Sequence, residues 1–322
     1  MIQLEQIKHI EFELSSFCNA TCPMCPRNVY GNNKKLGYIQ RNLTMGELTE
    51  IVEPIKHQLT HVRFEGNFGD PLANPDVIPM IEYLDVPVTI VTNGYFRDEK
   101  FWQQLGKLNV EVQFGLDGID NLTHTRYRRG TDYDRIIHNA VTFIRHGGKA
   151  VWKMIKFDFN IEQIDLAKTL SEKLGFYKFL CIDHGRNSAP VFDQAGNLVD
   201  IIGEWRGHTD FDIICEQIDN GEVLLEDIHK PSVQSIHCQT VRNSSIYVSS
   251  TGELYPCCYT GFSPATYGKG RWHQPVNQQL LPLIQDNNAL VHGLEHAVKW
   301  FSNISLQPGD LVVCDSSCGR NQ

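Results

Sequence analysis

A regular alternation of strand-like and helix-like segments runs from residue 8 to about residue 185 and constrains the fold more than any other feature of the chain. Short apolar runs favour strands, and the amphipathic stretches between them favour helices. The predicted strands are 9–14, 61–66, 86–92, 110–116, 151–158 and 178–183, and the predicted helices are 45–59, 76–84, 98–107, 132–146 and 161–174. Short strands that alternate with helices predict a parallel sheet covered by helices. Six such units predict an α/β fold of the partial (β/α)6, TIM-like barrel type.

The chain changes character after about residue 186. A loop-like stretch is followed by a mixed, acidic region at 199–230, and from Ser232 onward cysteine, glycine and proline separate short apolar pieces. We therefore expect a boundary between residues 186 and 232, with a barrel domain at 1–200 and a small α+β domain at 201–322.

Composition and charge narrow the class of function. The chain has 322 residues, of which 41% are hydrophobic, so it can bury a sizeable core. Its net charge of −9 argues against nucleic acid and anionic membrane surfaces as partners, because both require clustered Lys and Arg. The N-terminus has no signal-peptide pattern, and no apolar run reaches the ~18 residues of a membrane span. We expect a cytoplasmic protein that acts on small molecules or peptides.

Ten cysteines in a cytoplasmic chain predict metal ligands or catalytic groups rather than disulfides. Cys18, Cys22 and Cys25 form a C-x3-C-x2-C pattern directly after the first predicted strand. Thiolates prefer zinc or iron–sulfur clusters. Structural zinc needs a fourth ligand, and residues 29–44 contain neither Cys nor His. A cubane cluster held by three cysteines instead keeps one iron open, and an open iron can bind a reactant.

Further motifs fall at the ends of later predicted strands, in the order Gly66-Asn-Phe-Gly69-Asp70-Pro71, Thr92-Asn93-Gly94 and Gly115-Leu-Asp117-Gly118, and Tyr127-Arg128-Arg129-Gly130 follows the last of them. The carboxyl ends of parallel barrel strands meet at one face, where active sites assemble. Together with the cysteine pattern, this order resembles the radical S-adenosylmethionine (radical SAM) enzymes. Two positions depart from the pattern of that family, since Asp70 stands in place of Glu and Gly115 in place of Ser. Ordinary strand-exit turns are the alternative for the glycines.

The resemblance implies a mechanism and a set of site residues. The open iron would bind the amino and carboxylate groups of S-adenosylmethionine, and reduction would yield a 5′-deoxyadenosyl radical that abstracts a hydrogen atom from the substrate. The implied catalytic ligands of this [4Fe–4S] cluster are Cys18, Cys22 and Cys25, and the implied cofactor contacts are Gly69, Asp70, Thr92, Asn93, Asp117, Arg128 and Asn160. The amino group would meet Asp70, either directly or in a displaced contact, because Asp is one methylene shorter than Glu. The ribose would meet Asp117, and the methionyl carboxylate would meet Arg128.

Two of these positions have alternatives, and the family implies one further partner. A helix N-cap explains Asn160 equally well. A solvated surface pair is the alternative for Arg128 and Arg129. Reduction of the cluster implies an electron donor such as flavodoxin or ferredoxin.

The last third of the chain carries five more cysteines, Cys238, Cys257, Cys258, Cys314 and Cys318. The C-x13-G-x4-C spacing that begins at Cys238 resembles the opening of the SPASM domain or its shorter relative, twitch, with hairpin strands predicted at 246–248 and 253–255. We expect one auxiliary [4Fe–4S] cluster, with the ligands Cys238, Cys257, Cys314 and Cys318. Cys258 is left as a spare or substitute. Zinc is the alternative for these four thiols.

The remaining candidates carry less chemistry. Cys181 and Cys215 stand alone, and we expect both to be small buried hydrophobic residues. His292 and His296 lie four residues apart on a predicted helix, and we expect an ordinary surface pair. His184, just beyond the sixth strand, is a weak acid–base candidate.

These observations predict a radical SAM oxidoreductase that modifies a peptide or protein. Dehydrogenation of a small alcohol, such as a sugar or aminocyclitol, is the alternative within the same class. A non-catalytic zinc or iron–sulfur protein that binds metal or carries electrons is the alternative of another class. With about ten residues ahead of the first strand, we expect no leader-peptide-binding domain there.

Overall fold

The computed structural model describes residues 2–34, 39–183, 188–220, 222, 233–261, 279–280, 282–304 and 307–320. The strands are β1 His9–Phe12, β2 His61–Phe64, β3 Val88–Thr92, β4 Val110–Gly115, β5 Lys149–Ile155, β6 Lys178–Ile182, β7 Ala189–Phe192, β8 Leu198–Ile202, β9 Ser235–Ile236, β10 Ser245–Val248, β11 Leu254–Tyr255 and β12 Gly319–Arg320. The α-helices are α1 Met45–Val52, α2 Val77–Leu84, α3 Glu99–Leu105, α4 Asn121–Tyr127, α5 Tyr133–Arg145, α6 Ile164–Lys173, α7 Phe211–Asp219, α8 Gln239–Asn243, α9 Cys258–Gly261, α10 Ala289–His292, α11 Leu294–Val298 and α12 Val312–Cys318. None of the helices described has the length and apolar character needed to cross a membrane.

One sheet of eight strands organises the molecule, in the order β11-β10-β1-β2-β3-β4-β5-β6. Strands β1 to β6 pair in parallel with their neighbours in the chain, and β10 pairs in parallel with β1. Strand β11 runs antiparallel, because it returns from β10 through a hairpin. The predicted α/β fold with a partial barrel is confirmed. Each of the six predicted barrel strands is present within three residues of its predicted ends.

The predicted start of the first barrel helix is confirmed, but its predicted end is wrong. The hydroxyl of Thr44 accepts the N–H of Glu47 at 3.2 Å, and the N–H of Thr44 donates to the Glu47 carboxylate at 2.8 Å. The predicted capping box is therefore present. The helix ends at Val52 rather than at residue 59. Pro54 follows two residues later, and the residue before a proline is biased away from helical geometry.

Strands β1 and β2 have one apolar face and one polar face. Ile10, Phe12 and Phe64 are fully buried in the main core, which includes the helices outside the sheet. On the opposite face Glu11 lies in register with Arg63. Closed eight-stranded barrels fill their interior with branched aliphatic side chains. The interior of this partial barrel is polar instead along its first two strands.

A second apolar core covers the loop between β1 and α1. Strands β7 and β8 form an antiparallel hairpin, and together with α7 they pack against this loop. The loop contributes Ala20, Cys22, Met24, Val29 and Tyr30. The sequence predicted only a loop and a mixed region here. That expectation is wrong for the described residues, because β8 buries little besides Ile202 and therefore shows no alternating pattern.

The predicted C-terminal hairpin is confirmed, and it extends the barrel sheet. Its strands lie within one or two residues of the predicted 246–248 and 253–255. Gly252 has φ +90° in the turn, which favours glycine. The N–H of Glu13 donates to the carbonyl of Val248 at 2.9 Å, just past the paired segment. The carboxyl end of β10 therefore lies beside the cysteine loop.

Candidate functional site

The three-cysteine loop leaves the carboxyl end of β1. The Cys18 Sγ accepts hydrogen bonds from the N–H of Ala20 at 3.4 Å and from Asn93 Nδ2 at 3.5 Å. The N–H of Cys25 donates to the carbonyl of Cys22 at 3.0 Å, which closes a turn between the second and third thiols. The predicted motif thus lies at the face where the parallel strands end, in contact with the end of β3.

Burial controls the protonation of the thiols in this loop. Burial raises the pKa of the Cys18 thiol to about 12, because the opposing effect of Arg27 is too weak to offset it. Burial also raises the pKa of Cys22, against the opposing charge of Arg128. These two thiols are therefore neutral at pH 7 without a bound cation. Iron binding would release their protons, since the thiolate is the ligand.

The donor set of this loop consists of three thiols, from Cys18, Cys22 and Cys25. Within the described ranges, no three Cys, His, Asp or Glu side chains converge as ligands of one metal ion. A zinc ion needs its thiolates within about 2.3 Å of one point. A cubane accepts thiolates that lie farther apart, because each binds a different iron.

Asp70 connects three loops at this face. Its carboxylate accepts the N–H of Leu72 at 3.0 Å, the Thr92 hydroxyl at 2.8 Å and the N–H of Asn93 at 2.8 Å. Its own N–H donates to the carbonyl of Phe17 at 2.8 Å. The side chain is buried, and both of its oxygens are occupied by protein donors. Of the two alternatives, a direct and a displaced contact, this placement favours the displaced one, with Asp70 acting through Thr92 and Asn93.

Gly69 brings the loop after β2 against the cysteine loop. A Cβ at this position would lie 1.9 Å from the carbonyl oxygen of Ser15 and 2.8 Å from the Cα of Ser16. These are backbone atoms, so no side-chain rotation can relieve the contact. Glycine is required here for space.

Glu13 holds the same loop and was missed by the sequence analysis. It is fully buried, and its carboxylate accepts the N–H groups of Asn67 at 3.0 Å and Phe68 at 3.2 Å. Burial and the nearby Glu65 raise its pKa to about 8, although the two N–H groups oppose this shift. A carboxylate inside a predicted buried strand was the signal available in the sequence.

Asp117 and Arg128 form an ion pair across the end of β4. The Arg128 Nε donates to one Asp117 oxygen at 2.5 Å, and the other oxygen accepts the N–H of Ile155 at 2.6 Å. Burial opposes the charge of Arg128, but Asp117 and Cys22 outweigh burial and raise the pKa of the guanidinium. A Cβ on Gly115 would lie 2.9 Å from Arg128 Nη2. Glycine in place of the serine of the family therefore makes room for this pair.

Asn160 joins the ends of β4 and β5. Its Nδ2 donates to the carbonyls of Asp117 at 3.1 Å and Ile155 at 2.9 Å, and its Oδ1 accepts the N–H of Phe157 at 2.8 Å. Asn160 stands at the N-cap position of the 3-10 turn that follows, but its side chain makes no capping bond there. Asn160 supports the loop that carries Asp117.

The C-terminal cysteines line a single pocket. Its walls include Cys238, Cys257, Cys258, Cys314, Cys318, Glu11, Thr240 and Tyr259. Burial raises the pKa of Cys257 to about 11 and of Cys314 to about 12. All four predicted auxiliary ligands are thus brought together. Cys258 differs from them in facing Glu11 on the barrel strand β1, where its thiol slightly offsets the rise that burial causes in the pKa of that carboxyl.

The remaining candidates do not join these sites. His292 and His296 lie on separate helices with Gly293 between them, and both rings face Asp286, at 3.6 and 3.5 Å. His184 lies outside the described residues. The structure corrects one expectation for the lone cysteines, since Cys181 is exposed on the edge strand β6. Cys215 is buried, as predicted.

Comparison with protein families finds a match over the part of the chain that carries the cysteine motif and strands β2 to β5. A family model described as the Radical SAM superfamily matches residues 12–168. A curated relative, the radical SAM cyclopropyl synthase TigE of Paramaledivibacter caminithermalis, is 24% identical over 253 residues, which cover 67% of this chain and 53% of the relative. The chain therefore spans about half the length of that relative.

Solved structures share the fold at low sequence identity. SuiB of Streptococcus suis has a TM-score of 0.54 at 17% identity, over 80% of this chain and 61% of SuiB. SuiB bound to its precursor peptide SuiA has a TM-score of 0.53 at 16% identity, over 97% of this chain and 76% of SuiB. Native anSMEcpe with bound AdoMet has a TM-score of 0.50 at 16% identity, over 78% of this chain and 74% of that chain. The family match covers residues 12–168 of the 322-residue chain, and the solved structures show that the fold is shared over most of it.

Proposed function

We propose that the protein is a radical SAM enzyme that modifies a peptide or protein substrate. One observation carries this proposal. The three-cysteine loop lies at the carboxyl face of the barrel, with Asn93 bonded to the Cys18 sulfur and Arg128 close enough to Cys22 for each to shift the pKa of the other. A structural metal site would not need polar groups from the ends of β3 and β4 around its ligands.

The chain's own residues would hold the cluster and tune it. Cys18, Cys22 and Cys25 would bind three irons. When bound, the cluster and S-adenosylmethionine supply one-electron cleavage and a carbon-centred radical that removes a hydrogen atom from the substrate. The Asn93 amide donates to a ligand sulfur, and Arg128 places a fixed positive charge nearby. Both contacts favour the more negative, reduced form of a cluster, because hydrogen bonds and charge set its potential.

The second pocket completes the proposal. Cys238, Cys257, Cys314 and Cys318 would hold one auxiliary [4Fe–4S] cluster of the SPASM or twitch kind, with all four irons covered. A fully ligated cluster transfers electrons rather than binding the substrate. We assign the catalytic barrel to residues 1–200 and the auxiliary domain to residues 201–322. An electron donor such as flavodoxin or ferredoxin would reduce the first cluster.

The relatives support a peptide substrate. The TigE relative is named as a cyclopropyl synthase, and the matching SuiB structure contains a precursor peptide. Another match, native anSMEcpe, was solved with AdoMet and a Cp18Cys peptide, with a TM-score of 0.50. The polar interior face of β1 and β2 also suits a polar substrate better than an apolar one.

Cofactor cleavage tests the proposed class of reaction. The protein is reconstituted with iron and sulfide without oxygen, reduced, and given S-adenosylmethionine, and 5′-deoxyadenosine is measured. Cys22→Ala should abolish product formation. Cys215→Ala is the matched control, because this buried cysteine belongs to the same apolar core but lies outside the motif. The proposal is wrong if the wild type forms no 5′-deoxyadenosine, or if Cys22→Ala forms as much.

Peptide substrates can be tested separately. Short peptides encoded beside the gene are incubated with the reduced enzyme and S-adenosylmethionine, and their masses are measured. A mass change that requires both reductant and cofactor supports peptide modification. Turnover of a sugar or aminocyclitol, with no peptide changed, would replace it with the alcohol dehydrogenase alternative.

A further inference from the structure

Residues 189–219 form a cover over the cysteine loop. The cover consists of β7, β8 and α7, and its inner side carries Val191, Phe192, Ile202, Ile214 and Ile218. These side chains share one apolar core with Cys22, the second cysteine of the motif, and with Met24, which lies between Cys22 and Cys25. Cys22 is 8% exposed and Met24 4% exposed. The cover is therefore part of what separates the middle of the cysteine motif from solvent.

One edge of the cover is fastened to the chain that follows the third cysteine. The N–H of Phe192 donates to the carbonyl of Tyr30 at 2.8 Å. Asn32 Nδ2 donates to the carbonyl of Asp193 at 2.6 Å, and Gln194 Nε2 donates to the carbonyl of Gly31 at 2.6 Å. These bonds attach the hairpin directly to the cysteine loop.

The other side is clamped to the barrel by one arginine. Arg126 on α4 donates through Nε and Nη2 to the two carboxylate oxygens of Asp200, at 3.1 and 3.2 Å. The same guanidinium lies over the Phe159 ring, 4.7 Å from its centroid. Bidentate geometry is the strong form of such a pair, because both N–H bonds must be lost together. The clamp joins β8 of the cover to the barrel elements next to the ion pair of Asp117 and Arg128.

We infer that this cover seals the cluster-binding loop, and that Arg126 and Asp200 are positioning residues that keep it closed. The role toward a cluster rests on the proposed function, whereas the closure itself does not. Exposure to solvent is one of the main influences on the lifetime and potential of an iron–sulfur cluster. A closed cover of apolar side chains keeps water and oxidants away from the Cys22 side of the site.

Alkylation of the apoprotein tests closure independently of any cluster. The metal-free chain is treated with iodoacetamide, and mass spectrometry follows Cys22 relative to the exposed Cys181 on β6. Arg126→Ala should raise the rate at Cys22 about fivefold relative to Cys181, as expected for loss of a partly exposed bidentate pair. Arg126→Lys should give an intermediate rate, since it keeps the charge but loses the fork. An unchanged ratio in Arg126→Ala would overturn the inference.

Arg206→Ala is the matched control. Arg206 lies in the same cover and pairs with Glu204 at 3.1 Å, but both side chains are exposed and contact neither the barrel nor the cysteine loop in any described bond. The charge change is identical, so the Cys22 rate should stay at the wild-type value. An equal increase in Arg206→Ala would mean that net charge, not the clamp, controls access, and would also overturn the inference.

The reconstituted enzyme supplies the second measurement. Iron release to a chelator is followed by the loss of visible iron–sulfur absorption, and Arg126→Ala should release iron from the N-terminal site several-fold faster than Arg206→Ala. Equal release rates would overturn the role of the clamp toward the cluster. If no iron binds at the three cysteines, the proposed function fails while the alkylation result still decides whether the cover closes.

Discussion

Gly69→Ala is expected to disrupt the contact between the loops that follow β1 and β2. The added Cβ would lie 1.9 Å from the carbonyl oxygen of Ser15 and 2.6 Å from its carbonyl carbon. Relief requires a backbone displacement of about 1 Å, because side-chain rotation cannot help. Overpacking costs about 1–3 kcal/mol, and we expect a loss near 3 kcal/mol since two backbones resist the change. Asp70 follows directly, so the displacement should also weaken S-adenosylmethionine binding.

Gly46→Ala is the control for this prediction. Gly46 lies in the first turn of α1, and a Cβ there would meet nothing within 4 Å. Alanine in a helix is favoured over glycine by about 0.5–1 kcal/mol, so the control should stabilise the protein. Urea denaturation of the two apoproteins measures the difference. The packing argument is refuted if Gly69→Ala unfolds within 0.5 kcal/mol of the wild type and binds the cofactor equally well.

Three other perturbations test separate parts of the site. Burial raises the pKa of Glu13 from 4.5 to about 8, so folding favours the protonated acid and stability falls as the pH rises from 5.5 to 8. In Glu13→Gln, the loss of unfolding free energy between pH 5.5 and pH 8 should be about 3 kcal/mol smaller than in the wild type. Urea titrations at the two pH values measure this difference. Arg128→Ala leaves the buried carboxylate of Asp117 unpaired and should lower the free energy of unfolding by about 3–5 kcal/mol. Adding Asp117→Asn to this variant should restore much of the lost free energy, because the amide carries no charge. In a background that lacks Cys18, Cys22 and Cys25, Cys314→Ala should lower the iron content by about four irons per chain, whereas Cys258→Ala should not lower it. Iron analysis of the reconstituted variants measures both.

Much of the barrel was predictable because its signal is local. Strands β1 to β6 are short apolar or alternating runs, and helices α1 to α6 separate each from the next. The motifs followed from position, since the predicted cofactor residues lie at the strand ends or in the loops beyond them, except Arg128, which lies at the end of α4. Parallel pairing brings those ends to one face whatever the details of packing.

The contacts within that face could not be read from local patterns. Asp117 and Arg128 are separated by α4, and their pairing depends on the angle at which that helix leaves β4. In the sequence, Gly115 indicated only the loss of a serine hydroxyl, whereas the structure shows that glycine at this position makes room for the Arg128 guanidinium. Such relations depend on the distances between side chains from different elements, which no spacing in the sequence encodes.

The missed elements share weak periodicity. Most of β8 is exposed or half-buried, so it lacks the alternation that marked the barrel strands. The segment with His292 and His296 was expected to be one helix, but Gly293 at φ +78° divides it into two short ones. A single glycine inside a helical pattern is compatible with either outcome, and tertiary packing decides between them.

The edge of β1 that pairs with β10 stays unpaired during most of the chain's synthesis. Strands β1 and β10 are about 230 residues apart in the chain. At a synthesis rate of about 5–20 residues per second, β10 therefore emerges roughly 12–46 s after β1. During this interval the nascent chain presents an open row of N–H and C=O groups that another chain can join. Recovery of native protein should therefore depend on translation speed and temperature during expression, beyond the stability of the finished fold.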